Sequence, residues 1–334
     1  MIARSERKIE PADWQAALRD AWTRPSELLD ALNLRPEAVG LSAEAASSFP
    51  FRVPRFYANL MVRGDAKDPL LRQVLPVEDE TLSAPGFLRD PVGDLPSQRQ
   101  PGLLHKYQGR ALLLMTGACA IHCRYCFRRH YPYGESVGIE RLTLALDAVA
   151  ADPSITEIIL SGGDPLSLRD ERLAKVATRL ADIPHLRRLR IHTRLPVSIP
   201  SRLNAALLDW FCGTRLEPVM VLHANHAREL SPALAAALLP FRRAGVTLLN
   251  QAVLLRGVND SVSAQRELAT QLHSHGVLPY YLHLLDRTDG TAHFEVSLRR
   301  ARSLMKTLRG ELPGYLVPRL VREIAGEPYK TPQS

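Results

Sequence analysis

The chain has 334 residues, 46% of them hydrophobic and 23% charged, and carries no low-complexity runs. This composition is globular and excludes disordered, fibrous and collagen-like classes. At roughly 100–200 residues per domain the length allows two or three domains, or one α/β barrel with an appended piece; the net charge of +8, from 43 Lys and Arg against 35 Asp and Glu, favours anionic ligands without pointing to nucleic acid.

The first ten residues, Met1 to Glu10, are charged from the start and lack an apolar h-region. That argues against a secretory signal and for a cytoplasmic protein. The longest apolar stretches, 111–115 and 234–241, fall far short of the roughly 20 residues of a membrane span, so no membrane partner is expected. From Trp14 to about Leu34 apolar residues recur at helical spacing, with Thr23, Pro25 and Ser26 reading as a stop and a fresh N-cap. Residues 90–102 have the Pro- and Gly-rich composition of an irregular connector. The expected division is therefore a mainly helical N-terminal region with its connector over 1–102, a barrel over 103–300, and a C-terminal segment over 301–334.

Beyond residue 102, short β-prone runs alternate with helical segments, the pattern of repeated βα units and a parallel sheet. The predicted strands are Arg110–Met115, Thr156–Leu160, Arg188–His192, Val219–His223, Thr247–Leu254 and Pro279–Leu284. No G-x-G-x-x-G follows the first of them, so a partial (β/α)6 TIM-like barrel is expected rather than a Rossmann sheet. Polar and reactive residues cluster just past the strand ends, and in α/β barrels that end is the active-site mouth.

The strongest chemical signal is Cys119-Ala-Ile-His-Cys123-Arg-Tyr-Cys126, spaced C-x3-C-x2-C. Three thiolates on a [4Fe–4S] cluster leave one iron open to substrate or cofactor. A zinc site completed by His122 or His130 is the alternative, along with cysteines that merely share a loop. The fourth cysteine, Cys212, stands alone and reads as a buried small hydrophobe. After the second strand comes Ser161-Gly162-Gly163-Asp164, where glycines let backbone approach a ligand closely.

With an aromatic residue before its last cysteine and a position directly after the first strand, the cysteine motif resembles that of the radical S-adenosylmethionine (SAM) superfamily. The resemblance implies that Cys119, Cys123 and Cys126 hold the cluster and that Ser161, Gly162, Gly163 and Asp164 contact SAM, with His223 and Gln251 as lesser candidates for the same pocket. The ordered segments His105-Lys-Tyr-Gln-Gly-Arg110, Phe127-Arg128-Arg129, Arg190-Ile-His-Thr-Arg194-Leu-Pro, His223-Ala-Asn-His226, Leu254-Leu-Arg-Gly-Val-Asn-Asp260 and Gly314-Tyr-Leu-Val-Pro318 narrow it to the lysine 2,3-aminomutase family, an isomerase class. They run in order over some four fifths of the chain.

That family also uses pyridoxal 5′-phosphate (PLP). Of six lysines, at positions 8, 67, 106, 175, 306 and 330, the resemblance selects Lys330 for the Schiff base, with Lys306 the poorer choice; a Gly326-Glu-Pro-Tyr run precedes Lys330 where the family has a glycine-rich run. It assigns the PLP phosphate to Lys106, Tyr107 and Arg110. Charge matching requires an Arg for the carboxylate of a free lysine substrate and carboxylates for its distant ammonium. By motif position these are Arg128, and Asp286 with Glu323, the last standing where better-known members have Asp.

The chain stops four residues after Lys330. In this, and in its helical start, it resembles the short bacterial branch linked to β-lysylation of elongation factor P. The expected product is β-lysine in the R form, the expected partners a flavodoxin- or ferredoxin-like reductant and a separate ligase acting on that factor. Glutamate or arginine as substrate, an RNA-modifying radical SAM enzyme without PLP, and a zinc adaptor are the rival readings.

Overall fold

The computed structural model describes residues 13–333; the charged N-terminal run lies outside them. Ten strands form one sheet in chain order: β1 (Gln98–Gln100), β2 (Leu103–Tyr107), β3 (Arg110–Thr116), β4 (Glu157–Gly162), β5 (Arg188–Thr193), β6 (Glu217–Leu222), β7 (Thr247–Val253), β8 (Leu278–His283), β9 (Arg319–Arg322) and β10 (Thr331–Pro332). From β3 to β9 every neighbour is parallel. β1 and β2 add antiparallel at one edge and β10 at the other. Each of β3 to β8 is followed by a helix, so the expected partial (β/α)6 barrel is present, with a seventh parallel strand at its end.

All six predicted strands appear, shifted by at most two residues at either end. The helices follow their sequence signals. Ser231 and Ser261 cap Pro232–Arg243 and Val262–Ser274 by accepting from the backbone of Leu234 and Ala264. The helix Leu298–Glu311 buries Ala301, Leu304, Met305 and Leu308, one stripe at helical spacing.

The strands divide their faces. In β5, Leu189 and Ile191 pack outward into the core shared with the helices, while Arg190 and His192 line the barrel interior. β3 and β8 do likewise, with Leu113 and Leu282 outward and Leu112 and Tyr281 inward. An ordinary barrel of this kind fills its interior with branched side chains; this one encloses a cavity of about 470 Å³.

The predicted helical start appears as Trp14–Arg19 and Pro25–Ala31, broken where Thr23 and Pro25 stand. The N-terminal segments form their own small core around Leu28, Leu29, Val53, Tyr57, Leu70 and Leu71, which also packs Ile121 from the cysteine motif. They grip that motif directly. His122 donates its backbone N–H to Arg52 O (3.0 Å) and Arg124 to Gln73 O (2.9 Å). The fully buried Arg124 guanidinium reaches Glu80 (2.6 and 2.8 Å) and the carbonyls of Ala45 and Phe49 (2.9 and 2.8 Å). Glu80 also takes Arg129 at 2.9 Å. Glu80→Ala strands two buried guanidinium groups, and breaking a buried pair this way costs about 3–5 kcal/mol; chemical denaturation of the apoprotein should show that loss.

Candidate active site

One cavity gathers the three cysteines, the glycine run at the end of β4 and all the polar candidates of the sequence, Lys330 among them. Its depth departs from the expected mouth. Cys119, Cys123 and Cys126 sit past the C-terminal end of β3, whereas Tyr107 and Arg110 pair with each other across the β2–β3 hairpin at the opposite end of that strand. The cavity therefore runs through the barrel interior.

At the cysteine end, Gly162 and Gly163 serve close approach. A Cβ on Gly163 would lie 2.3 Å from Ala118 O, and one on Gly162, whose φ is +121°, would lie 2.6 Å from Thr116 O. The glycines let β4 seat against the backbone of the cysteine loop, with Gly163 N–H on Thr116 O (2.7 Å) and Asp164 N–H on Ala118 O (2.8 Å). Asp164 is fully committed: its carboxylate accepts from the Thr193 hydroxyl (2.7 Å) and from the backbone of Leu166, Arg194 and Leu195 (3.1, 2.7 and 2.9 Å). Its side chain braces the ends of β4 and β5 to one another. Ser161 receives Arg128 Nη1 at 3.3 Å. His223, its pKa lowered to about 3 by burial and then by Arg194, is a neutral imidazole whose Nε2 meets Tyr125 Oη at 2.8 Å.

The two histidines of the zinc alternative each meet a backbone carbonyl. His122 Nδ1 is 3.0 Å from Pro50 O and His130 Nε2 3.3 Å from Asp289 O. Among the described residues no three His, Cys, Asp or Glu side chains converge on a single ion. Three separated thiols suit a cubane, which takes one thiolate per iron. Burial pushes the Cys126 thiol up to about 11, so metal binding must supply the ionisation. Arg194 Nη1, 2.7 Å from Cys123 Sγ, already offers a charged donor to one sulfur. Cys212 sits at the end of the helix Ala205–Cys212, half-buried against the main core and away from the cavity.

At the other end an alternating chain of charge crosses from one sheet edge to the other. Arg128 Nε binds Asp94 (2.6 Å), Asp94 binds Lys106 (2.6 Å), Lys106 binds Glu323 (2.8 Å), and Glu323 binds Lys330 (2.7 Å). Burial would raise the Glu323 carboxyl, but Lys330 and Lys106 hold it well below the usual carboxylate range. Asp286 is the contrast. Burial and then the neighbouring Glu323 charge raise it to about 7, and its Oδ1 is buried without a hydrogen-bond partner. His192 and His283, both neutral because burial lowers them, also leave Nε2 unpartnered in the same cavity. Orphaned buried polar atoms of this kind mark places that a bound group satisfies, and basic side chains beside Tyr107 and Arg110 suit a phosphate.

Lys330 is here because β10 folds back on β9, pairing Thr331 with Arg322. Its side chain is 18% exposed, not the solvated tail residue its position suggests. Lys306 lies on the exposed face of the outer helix Leu298–Glu311. Sequence reasoning missed Asp94, inside the segment read as connector, and also His283 and Glu229; it named the segment of Arg190 and His192 without giving either a role. Only the alternation Arg190-Ile-His192 signalled a polar strand face, and nothing in it told solvent from cavity.

Comparison with known proteins now adds its part. The radical SAM superfamily pattern matches residues 113–209, which hold the end of β3, the cysteines, the glycine run and Arg194. The chain is 50% identical to L-lysine 2,3-aminomutase of Escherichia coli (strain K12), over 96% of this chain and 94% of that protein. The chain belongs to the L-lysine 2,3-aminomutase family. It is also 46% identical to the Haemophilus influenzae L-lysine 2,3-aminomutase (96% of each chain) and 40% identical to that of Buchnera aphidicola subsp. Baizongia pistaciae (98% of this chain, 97% of that one). Family membership makes the protein a radical SAM aminomutase, an isomerase, and implies a [4Fe–4S] cluster, SAM and PLP. The thiols, the basic groups and the orphaned atoms of the cavity fit those groups.

Gly163→Ala should cost about 1–3 kcal/mol through overpacking and lower the iron bound after anaerobic reconstitution, while Cys212→Ser should bind iron as the parent does; iron and labile sulfide assays check both.

Proposed function

We propose that this protein converts L-lysine to β-lysine in the R form, using PLP, and that a separate ligase attaches the product to elongation factor P. The charges lining one cavity support the substrate most directly: Arg128 offers a guanidinium, and Glu323 and Asp286 offer two carboxylates, the latter with an unpartnered oxygen. The names of the relatives, each an L-lysine 2,3-aminomutase matched over nearly its whole length, support the same reading. When bound, PLP supplies the π-system across which an amino nitrogen moves from Cα to Cβ, and the cluster with SAM supplies the radical that takes the Cβ hydrogen.

The protein's own residues bind and orient. Cys119, Cys123 and Cys126 hold the cluster, and the backbone of Ser161, Gly162 and Gly163, with His223 and Gln251, faces SAM. Asp164 contributes by bracing this wall. Lys330 anchors PLP, with Tyr107, Arg110 and Lys106 toward its phosphate. Arg128, held in place by Asp94, takes the substrate carboxylate. Asp286 and Glu323 take the distant ammonium. Burial of these groups excludes water and competing hydrogen donors from the reacting carbon. The electron donor is a low-potential reductant of the flavodoxin or ferredoxin kind. We further propose that residues 1–102 act mainly to hold the cysteine loop, with 103–300 as the barrel and 301–334 supplying the PLP lysine.

Anaerobic incubation with SAM, a reductant, PLP and a panel of amino acids, followed by chiral analysis, should yield (R)-β-lysine from L-lysine alone; turnover of glutamate or arginine in its place overturns the substrate. Deleting the gene should remove the β-lysyl mass from elongation factor P. Lys330→Ala should keep its iron and lose the visible absorbance of bound PLP. Asp286 ionises only as pH rises through about 7, so KM for lysine should fall across that range. Asp286→Asn should raise KM and flatten the dependence.

A further inference from the structure

Arg194 is buried under the cysteine loop with both terminal nitrogens of its guanidinium bonded and its Nε buried without a partner. Nη1 points at Cys123 Sγ (2.7 Å) and also reaches Tyr125 Oη; Nη2 donates to Tyr57 Oη (3.0 Å), Gln73 Oε1 (2.8 Å) and Glu229 Oε2 (3.0 Å). Glu229 is equally fixed. Its Oε1 accepts from Gln73 Nε2 (2.9 Å) and from the backbone N–H groups of Asn225 and His226 (3.1 Å each). The two side chains are 6% and 0% exposed.

This pair is a fixed dipole with its positive end on a cluster ligand. Hydrogen bonds to cluster sulfurs and nearby positive charge favour the reduced, more negative state, so they raise the reduction potential. In a low-dielectric interior neither effect is screened away. No substrate candidate touches Arg194, and its fork cannot swing into the cavity without breaking bonds to residues from three separate segments. Its position suits the metal centre and not the amino acid.

We propose that Arg194 is a positioning residue that sets the potential of the [4Fe–4S] cluster through its bond to Cys123 Sγ, with Glu229 limiting how far its charge raises that potential. The proposal rests on the cluster being held by Cys119, Cys123 and Cys126. The cluster accepts one electron from the external reductant and no bond to protein changes; the pair shifts only how readily that electron is accepted.

The test is an anaerobic redox titration of the reconstituted protein without SAM, reading the reduced cluster by EPR against applied potential, with iron and sulfide measured on each sample. Arg194→Gln should move the midpoint to more negative potential. Arg194→Lys, which keeps the charge but withdraws the fork from Cys123, should move it the same way by less. Glu229→Gln leaves the guanidinium uncompensated and should move it to more positive potential. Shifts of opposite sign are what a loosened fold would not produce. Unchanged midpoints, or shifts in one direction for all three, overturn the proposal. Loss of iron from all three variants overturns it too, and assigns Arg194 to cluster retention. A parent protein that binds no cluster would instead refute the reading on which the proposal stands.

Discussion

Glu323 joins the two ends of an open sheet. β2 stands near one edge and β9 near the other, with no strand pairing between them; the bond from Glu323 to Lys106 crosses that opening, and Lys330, on the same edge as Glu323, closes on the same carboxylate. The strength of both bonds comes from burial: each of the three side chains is less than a fifth exposed, so little water screens them. Remove this carboxylate and two ammonium groups face each other across the gap. The charges that close the barrel are the ones we propose for holding PLP and the substrate.

That economy explains why the cavity stays open. A barrel interior filled with Leu and Val needs no closing charges. Here Arg190, His192, Tyr281 and His283 line the interior, and Nε2 of each histidine is buried without a partner. The hydrophobic stabilisation comes instead from the outer layer, where β4 and the alternate residues of β3, β5 and β8 meet the helices. The cysteine loop, lying between this barrel and the N-terminal core, is clamped from both sides: Arg124 and Glu80 hold it from without, and Arg194 with Glu229 from within.

Much of the site was legible in the residues themselves because it is local. The C-x3-C-x2-C spacing carries its chemistry within eight positions, and the Gly162–Gly163 turn carries its tight approach within two. The strands β3 to β8 were readable from alternation and β-branched runs. β9 and β10 were not: they are short, and their pairing is made worthwhile by β8 and by Lys330 reaching Glu323. Asp94 was invisible for a similar reason, since an aspartate in a Pro- and Gly-rich stretch is usually solvated and only the approach of Arg128 and Lys106 gives it a role.

By itself, then, the sequence determined the repeated βα order, the cluster-type cysteines, the absence of any apolar stretch long enough to span a bilayer, and the family. Each depends on spacing along the chain or on side-chain type, which folding does not alter. Only the tertiary structure decided that Lys330 leaves the tail and enters the barrel, that Asp164 ties the ends of β4 and β5 together, that His122 and His130 meet backbone carbonyls, and that five charges from distant segments form one line. Those outcomes depend on which buried charges meet, and burial is what makes an unpaired charge too costly to keep.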